Sequence, residues 1–164
     1  PWLITRSRFR LRNNNLAGDR EDNTVTIMSP KQIVLCGGQS RVENSSELLG
    51  ANIDPAKLEW EEQPGSMALH HATRHGHTAT AVAKNKLVVI GGRRMHQVLD
   101  EVQVLNTDGM KWSTMNLRGV VPAREGHAAA LIGERIFIFG GTNGTLLTSD
   151  IFCLDVEQSS IGQV

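Results

Sequence analysis

The sequence predicts an all-β chain in which one four-stranded unit recurs about three times. Three observations carry that prediction. Three apolar runs end in paired glycines: Ile33-Val34-Leu35-Cys36-Gly37-Gly38, Leu87-Val88-Val89-Ile90-Gly91-Gly92 and Ile136-Phe137-Ile138-Phe139-Gly140-Gly141. The pairs lie 54 and 49 residues apart, a period expected of stacked supersecondary units. Arg20, Arg74 and Arg124 precede the first glycine of each pair by 17, 17 and 16 residues, and Trp60 and Trp112 follow it by 23 and 21.

Each unit parses into four strands. The first runs from Gly76 to Val82 in one copy and from Gly126 to Ile132 in the next, and it is rich in small residues, as a crowded axis requires. After a short turn comes the apolar run itself. Its unbroken character marks a strand covered on both faces. The glycine pair closing it indicates a tight bend or a close approach of backbone. The third strand is Val102-Gln103-Val104-Leu105, matched by Ile151-Phe152-Cys153-Leu154, and the fourth is Lys111-Trp112-Ser113-Thr114-Met115. A helical reading fails because the segments are short, punctuated by glycine and mostly lack a 3.6-residue period.

Composition is that of a soluble globular chain, with 40% apolar and 21% charged residues. Lys+Arg and Asp+Glu both number 17, so net charge gives no reason to expect nucleic acid or an anionic membrane as partner. No apolar run reaches the roughly 18 residues of a membrane span. Cys36 and Cys153 sit inside apolar runs and read as reduced thiols. The sequons at Asn44 and Asn143 are short matches of little weight.

Few side chains suggest chemistry. His70, His71, His75 and His77 fall within eight residues, a spacing that can hold zinc. His127, however, occupies the same repeat position as His77 with no cluster around it, so a surface loop plus a repeat histidine is the preferred reading. Arg74 and Arg124 recur at fixed positions, which favours a structural role: a guanidinium could bridge neighbouring units through backbone carbonyls. Asp22, Asp100, Asp108, Asp150 and Asp155 look like turn and strand-end residues rather than a catalytic pair. There is no Gly-x-Ser-x-Gly elbow and no phosphate-binding loop leading into a helix.

The paired glycines after an apolar strand, the tryptophan about twenty residues later, and the openings Arg74-His75-Gly76-His77 and Arg124-Glu125-Gly126-His127 together resemble the kelch repeat. The resemblance covers roughly residues 20 to 158. It implies four-stranded blades around a central axis and, by analogy, a role in holding partner proteins. The first copy departs from the pattern, reading Arg20-Glu21-Asp22-Asn23, and its third strand near Glu47 to Ala51 is poor. No copy has the tyrosine many kelch units carry; the chain has no tyrosine at all. The tyrosine-radical chemistry of related copper oxidases is therefore excluded.

The organisation expected is an outer strand of a preceding blade plus a polar loop over 1–19, where Trp2 marks the strand, then a divergent repeat over 20–73, a repeat over 74–123, and a truncated repeat over 124–164. Gly37, Gly38, Gly91, Gly92, Gly140, Gly141, Arg74, His77, Arg124, His127, Trp60 and Trp112 are its structural markers. Three blades fall short of the 4–8 usual in propellers, so the chain is expected to be a fragment, an incomplete product, or one of several copies that complete each other.

The function expected is a protein-interaction scaffold without catalysis or cofactor, cytoplasmic, with the nucleus left open. The alternative is the propeller portion of a larger enzyme, for example beside a transfer-RNA-modifying methyltransferase. The first and second strands of a unit form a hairpin, so the loops before the first and after the second share one face. Those loops hold Arg41, Arg74, His75, Arg93, Arg94, His96, Arg118 and Arg124, against Glu43 and Glu125. That face is expected to be locally basic and to bind another protein through an acidic segment.

Overall fold

The computed structural model describes residues 20–39, 48–54, 57–62, 74–83 and 85–164, with 48–54 and 57–62 given by their backbone. Its elements are strands throughout. β1 (Thr24–Ser29), β2 (Gln32–Cys36), β3 (Leu48–Asp54) and β4 (Lys57–Glu62) form one antiparallel meander. β5 (Thr78–Ala83), β6 (Lys86–Ile90), β9 (Val102–Asn106) and β10 (Lys111–Thr114) form a second. β11 (Ala128–Ile132), β12 (Arg135–Thr142), β13 (Leu147–Asp155) and β14 (Ser160–Gln163) form a third. A small hairpin of β7 (Arg93–Arg94) and β8 (Gln97–Val98) fills the loop between β6 and β9.

The three sheets are blades of a propeller, with β5 lying between β1 and β11. The apolar strands explain the stacking. Leu87 and Val89 point to the first blade, where they meet Val34, Cys36 and Met28. Val88 and Ile90 point the other way, to Ile136, Ile138, Phe152 and Leu154 of the third. Alternate residues of one strand thus serve two interfaces, which is why the run carries no polar alternation. Leu87, Val88, Val89 and Ile90 are completely buried, each contributing roughly 1.5–3 kcal/mol of hydrophobic stabilisation.

Two expectations about the outer repeats need correction. The stretch near Glu47 to Ala51, poor as a strand by composition, pairs along β2 from Leu48 to Asn52. The third repeat does not lose its fourth strand: β14 pairs with β13, and Ile161 stands opposite Leu154 as Trp112 stands opposite Leu105. An isoleucine, 9% exposed, fills the tryptophan's place. Trp60 lies in β4 opposite Ala51. Pro1 to Asp19, with Trp2, lie outside the described residues.

The glycine pairs mark close approach of backbone. Gly38, Gly92 and Gly141 have φ of 99°, 92° and 98°. A Cβ on each would meet the carbonyl oxygen of Glu21, His75 or Glu125 at 3.1, 2.8 and 2.7 Å, the residue after the repeat arginine in every case. At Gly91, φ is 59° and a Cβ would lie 2.4 Å from the Arg124 carbonyl of the next blade. Gly126 has a similar φ of 64° but open space around it. The two substitutions to alanine therefore separate conformational strain from collision. Gly126→Ala should cost about 1 kcal/mol. Gly91→Ala should cost about 3 kcal/mol or more, because rigid backbone must move. Urea unfolding of the two variants checks the ordering, and equal costs would contradict the close approach.

Candidate functional site

The Arg-x-Gly-His segments sit where blades meet. Each begins with an arginine whose guanidinium turns back on its own blade. Arg74 Nη1 donates to the carbonyl of Gly91 at 2.9 Å, Arg124 Nη1 to that of Gly140 at 2.8 Å, and Arg20 Nη1 to that of Gly37 at 3.2 Å. Arg74 and Arg124 are each 1% exposed, so their charge must be matched. Glu101 accepts from Arg74 Nη2 at 3.1 Å, and Asp150 accepts from Arg124 at 3.0 and 3.2 Å. The Arg124 guanidinium also stacks on Phe152, 4.8 Å from the ring centre.

Blades are bridged by the arginine main chain. The Gly38 N–H donates to the Arg74 carbonyl, and the Gly92 N–H to the Arg124 carbonyl, each at 2.8 Å. The next residues continue the seam: Gly76 N–H donates to Asp22 and Gly126 N–H to Gly76. Asp22 takes the glycine's left-handed conformation with φ of 57°, so the divergent first repeat keeps the turn. The repeat histidines complete it. His77 Nε2 lies 2.9 Å from Thr24 Oγ1, and His127 Nε2 lies 2.8 Å from Thr78 Oγ1. Both rings are buried, and their Nδ1 atoms have no partner among the described residues.

Glu101 and Asp150 escaped the sequence reading as functional pairs. The signal was present: each stands ten residues after the first glycine of its pair, and Glu47 stands ten after Gly37. Burial pushes the Glu101 carboxyl up, but Arg74, Gln103 and Arg94 outweigh it and hold it below the usual range. The hydrogen bond from Arg124 holds Asp150 down in the same way. Burial pushes the Cys36 thiol up to about 12, which makes it a poor nucleophile. Among the described residues no three His, Cys, Asp or Glu side chains are placed to hold a metal ion.

On the face expected to be basic, the described arginines carry paired charges. Arg74 and Arg124 lie within it, not on it. Arg93 donates from Nε and Nη2 to both oxygens of Glu125, at 2.8 and 2.5 Å, tying the second blade's hairpin to the third blade. That hydrogen bond keeps Glu125 ionised below the usual range. Arg94 donates to Glu101 at 3.2 Å. His75 pairs with Arg93 through backbone, and its Nδ1 is 4.0 Å from Asp22. Arg118 belongs elsewhere: its N–H donates to Ser159 and its Nη2 to Gln158, at the β13–β14 turn, which the meander puts at the opposite end of the blade. Arg41 lies outside the described residues. The loop tips are apolar instead: Met95, beside exposed His96, is 83% exposed, Leu146 65% and Leu147 88%. Met95 holds a φ of 52° at the hairpin tip, a left-handed backbone conformation that non-glycine residues seldom adopt.

The chain matches the KLHDC2/KLHL20/DRC7 Kelch-repeats domain over residues 23–164. It is 30% identical over 134 residues to the Rab9 effector protein with kelch motifs of Gallus gallus, covering 79% of this chain and 35% of that protein. It is 29% identical over 126 residues to Tip elongation aberrant protein 1 of Schizosaccharomyces pombe, covering 73% and 10%. With Acyl-CoA-binding domain-containing protein 5 of Arabidopsis thaliana the identity is 31% over 123 residues, covering 74% and 18%. The chain thus spans about a third or less of the length of these relatives.

Burial holds His77 down to about 3 and His127 to about 4, from an ordinary 6.5. In the unfolded chain both take up protons near 6.5, so acid favours unfolding. Stability should be fully present above pH 6.5 and fall as the pH drops toward the folded values. Between pH 6.5 and about 5, above the range where carboxylates protonate, the fall belongs to histidine. Denaturant unfolding across that interval checks it. His127→Asn, which places there the residue the first repeat has at Asn23, should flatten the curve.

Proposed function

Because the chain belongs to the kelch-repeat family, we propose that it is a protein-interaction scaffold without catalytic activity, and that its partner binds the loop face carrying the β7–β8 hairpin and the β12–β13 loop. The observation that carries this reading is a set of exposed apolar tips, Met95, Leu146 and Leu147, on a base fixed by paired charges. Rigid loops with apolar ends bind with little ordering cost. Arg93 and Arg94 are engaged by Glu125 and Glu101, which favours a partner surface other than a purely acidic peptide. A surface with apolar tips beside His96 and neutralised arginines suits a mixed apolar and polar protein surface. The name of the Rab9 effector relative, which records a protein-binding role for that protein, points the same way.

Attachment beside a catalytic domain remains the rival reading, and sequence flanking the repeats decides between the two. The site itself is tested by affinity purification of the full-length protein and of two variants. Met95→Asp/Leu147→Asp should lose its co-purifying proteins. Glu134→Lys, at the turn on the opposite end, should retain them. The reverse pattern would reject the loop face.

A further inference from the structure

Asn143 is the one asparagine of this sequence that is followed by glycine. Asn143 and Gly144 stand in the loop joining β12 to β13, and both are exposed. The glycine matters because no Cβ shields its backbone nitrogen from the amide carbon of the residue before it. Closing that nitrogen onto Asn143 Cγ makes a five-membered ring.

The loop holds the Asn143 amide as this ring closure requires. Asn143 Oδ1 accepts from the Thr145 N–H and from the Leu146 N–H, each at 2.9 Å. The first bond makes an Asx turn, which curls the side chain back over the peptide that follows. Two backbone donors at that distance polarise the carbonyl, and they are already in place for the negative charge that gathers on its oxygen. The Gly144 N–H donates to Thr142 Oγ1 at 3.1 Å, a bond that water replaces when the proton leaves at this exposed tip.

The chemistry balances with water as the only co-reactant. Gly144 N gives its proton to hydroxide and forms a bond to Asn143 Cγ. The carbonyl electron pair moves to Oδ1, under the Thr145 and Leu146 N–H groups. It returns as the Cγ–Nδ2 bond breaks, and Nδ2 takes a proton from water and leaves as ammonia. Water then opens the cyclic imide at one of its two carbonyls, leaving aspartate or isoaspartate.

The position of the product gives it a consequence. A Cβ on Gly144 would lie 3.0 Å from Arg93 Nη2 and 3.1 Å from Val98 Cγ2, so the tip packs on the β7–β8 hairpin. Leu146 and Leu147, both exposed, follow in the same loop. Aspartate adds a charge beside these leucines. Isoaspartate adds a methylene to the main chain and displaces them.

We propose that Asn143 is a self-modifying site: the fold promotes its deamidation, and conversion withdraws the β12–β13 tip from partner binding. The second half rests on the loop-face reading above; the first does not.

The test follows the full-length protein, folded and in denaturant, at one pH and temperature, by mass spectrometry of the peptide that carries Asn143. The folded protein should convert at least as fast as the unfolded chain. Slower conversion in the fold would overturn the proposal, as would a sugar found on Asn143 Nδ2, which would occupy the leaving atom. Converted protein should then recover several-fold less of the co-purifying proteins than a fresh sample does. Recovery that survives conversion but is lost in Met95→Asp/Leu147→Asp would overturn the switch and leave the loop face standing. Recovery that survives both would reject the loop face itself.

Discussion

A guanidinium taken out of water is expensive unless its charge and its donors are all met. Arg74 and Arg124 are held in that state at the junctions of this fold, and the surrounding structure follows from how they are met. One donor of each goes to the carbonyl of the first glycine of its own blade, and others go to a carboxylate ten residues further on. That fixes the end of the second strand against the start of the first. With the side chain so engaged, the arginine's own carbonyl points at the preceding blade and accepts from the second glycine there. The second glycine must approach closely enough to reach it, and its φ near 95° leaves no room for a Cβ. Arginine, glycine pair and acid are therefore one device.

The same device sets what the loop face can do. Because the arginines turn inward and their neighbours Arg93 and Arg94 pair with Glu125 and Glu101, the base of the β7–β8 hairpin is tied down and these charges are matched. Rigidity is the property a scaffold needs, since loops that are already ordered lose little entropy on binding. Membership of the kelch-repeat family and the protein-binding role of such repeats accord with that arrangement.

Much of this was legible in the sequence. The apolar runs at Ile33, Leu87 and Ile136 gave the covered strands, and the glycine pairs gave the close approaches, because both depend on residue type at fixed spacing. Other features were hidden for physical reasons. Isoleucine at position 161 holds the fourth strand through backbone pairing and burial, neither of which requires tryptophan. Asp22 keeps a left-handed turn without glycine, since a short polar side chain tolerates that conformation. The pairing of Arg93 and Arg94 was hidden because charge was counted along the chain. Glu101 lies seven residues from Arg94 and 27 from Arg74, yet the fold brings it to both.

The central claim is that backbone bonds from the glycine pairs to the next blade's arginine hold the blades together. Hydrogen exchange of single amides measures this most directly. The Gly38 and Gly92 N–H groups, bonded to the Arg74 and Arg124 carbonyls, should exchange only through the opening that releases the core amides of Val88 and Ile138. Exchange of the two glycine amides at the rate of the β7–β8 hairpin tip would contradict the account.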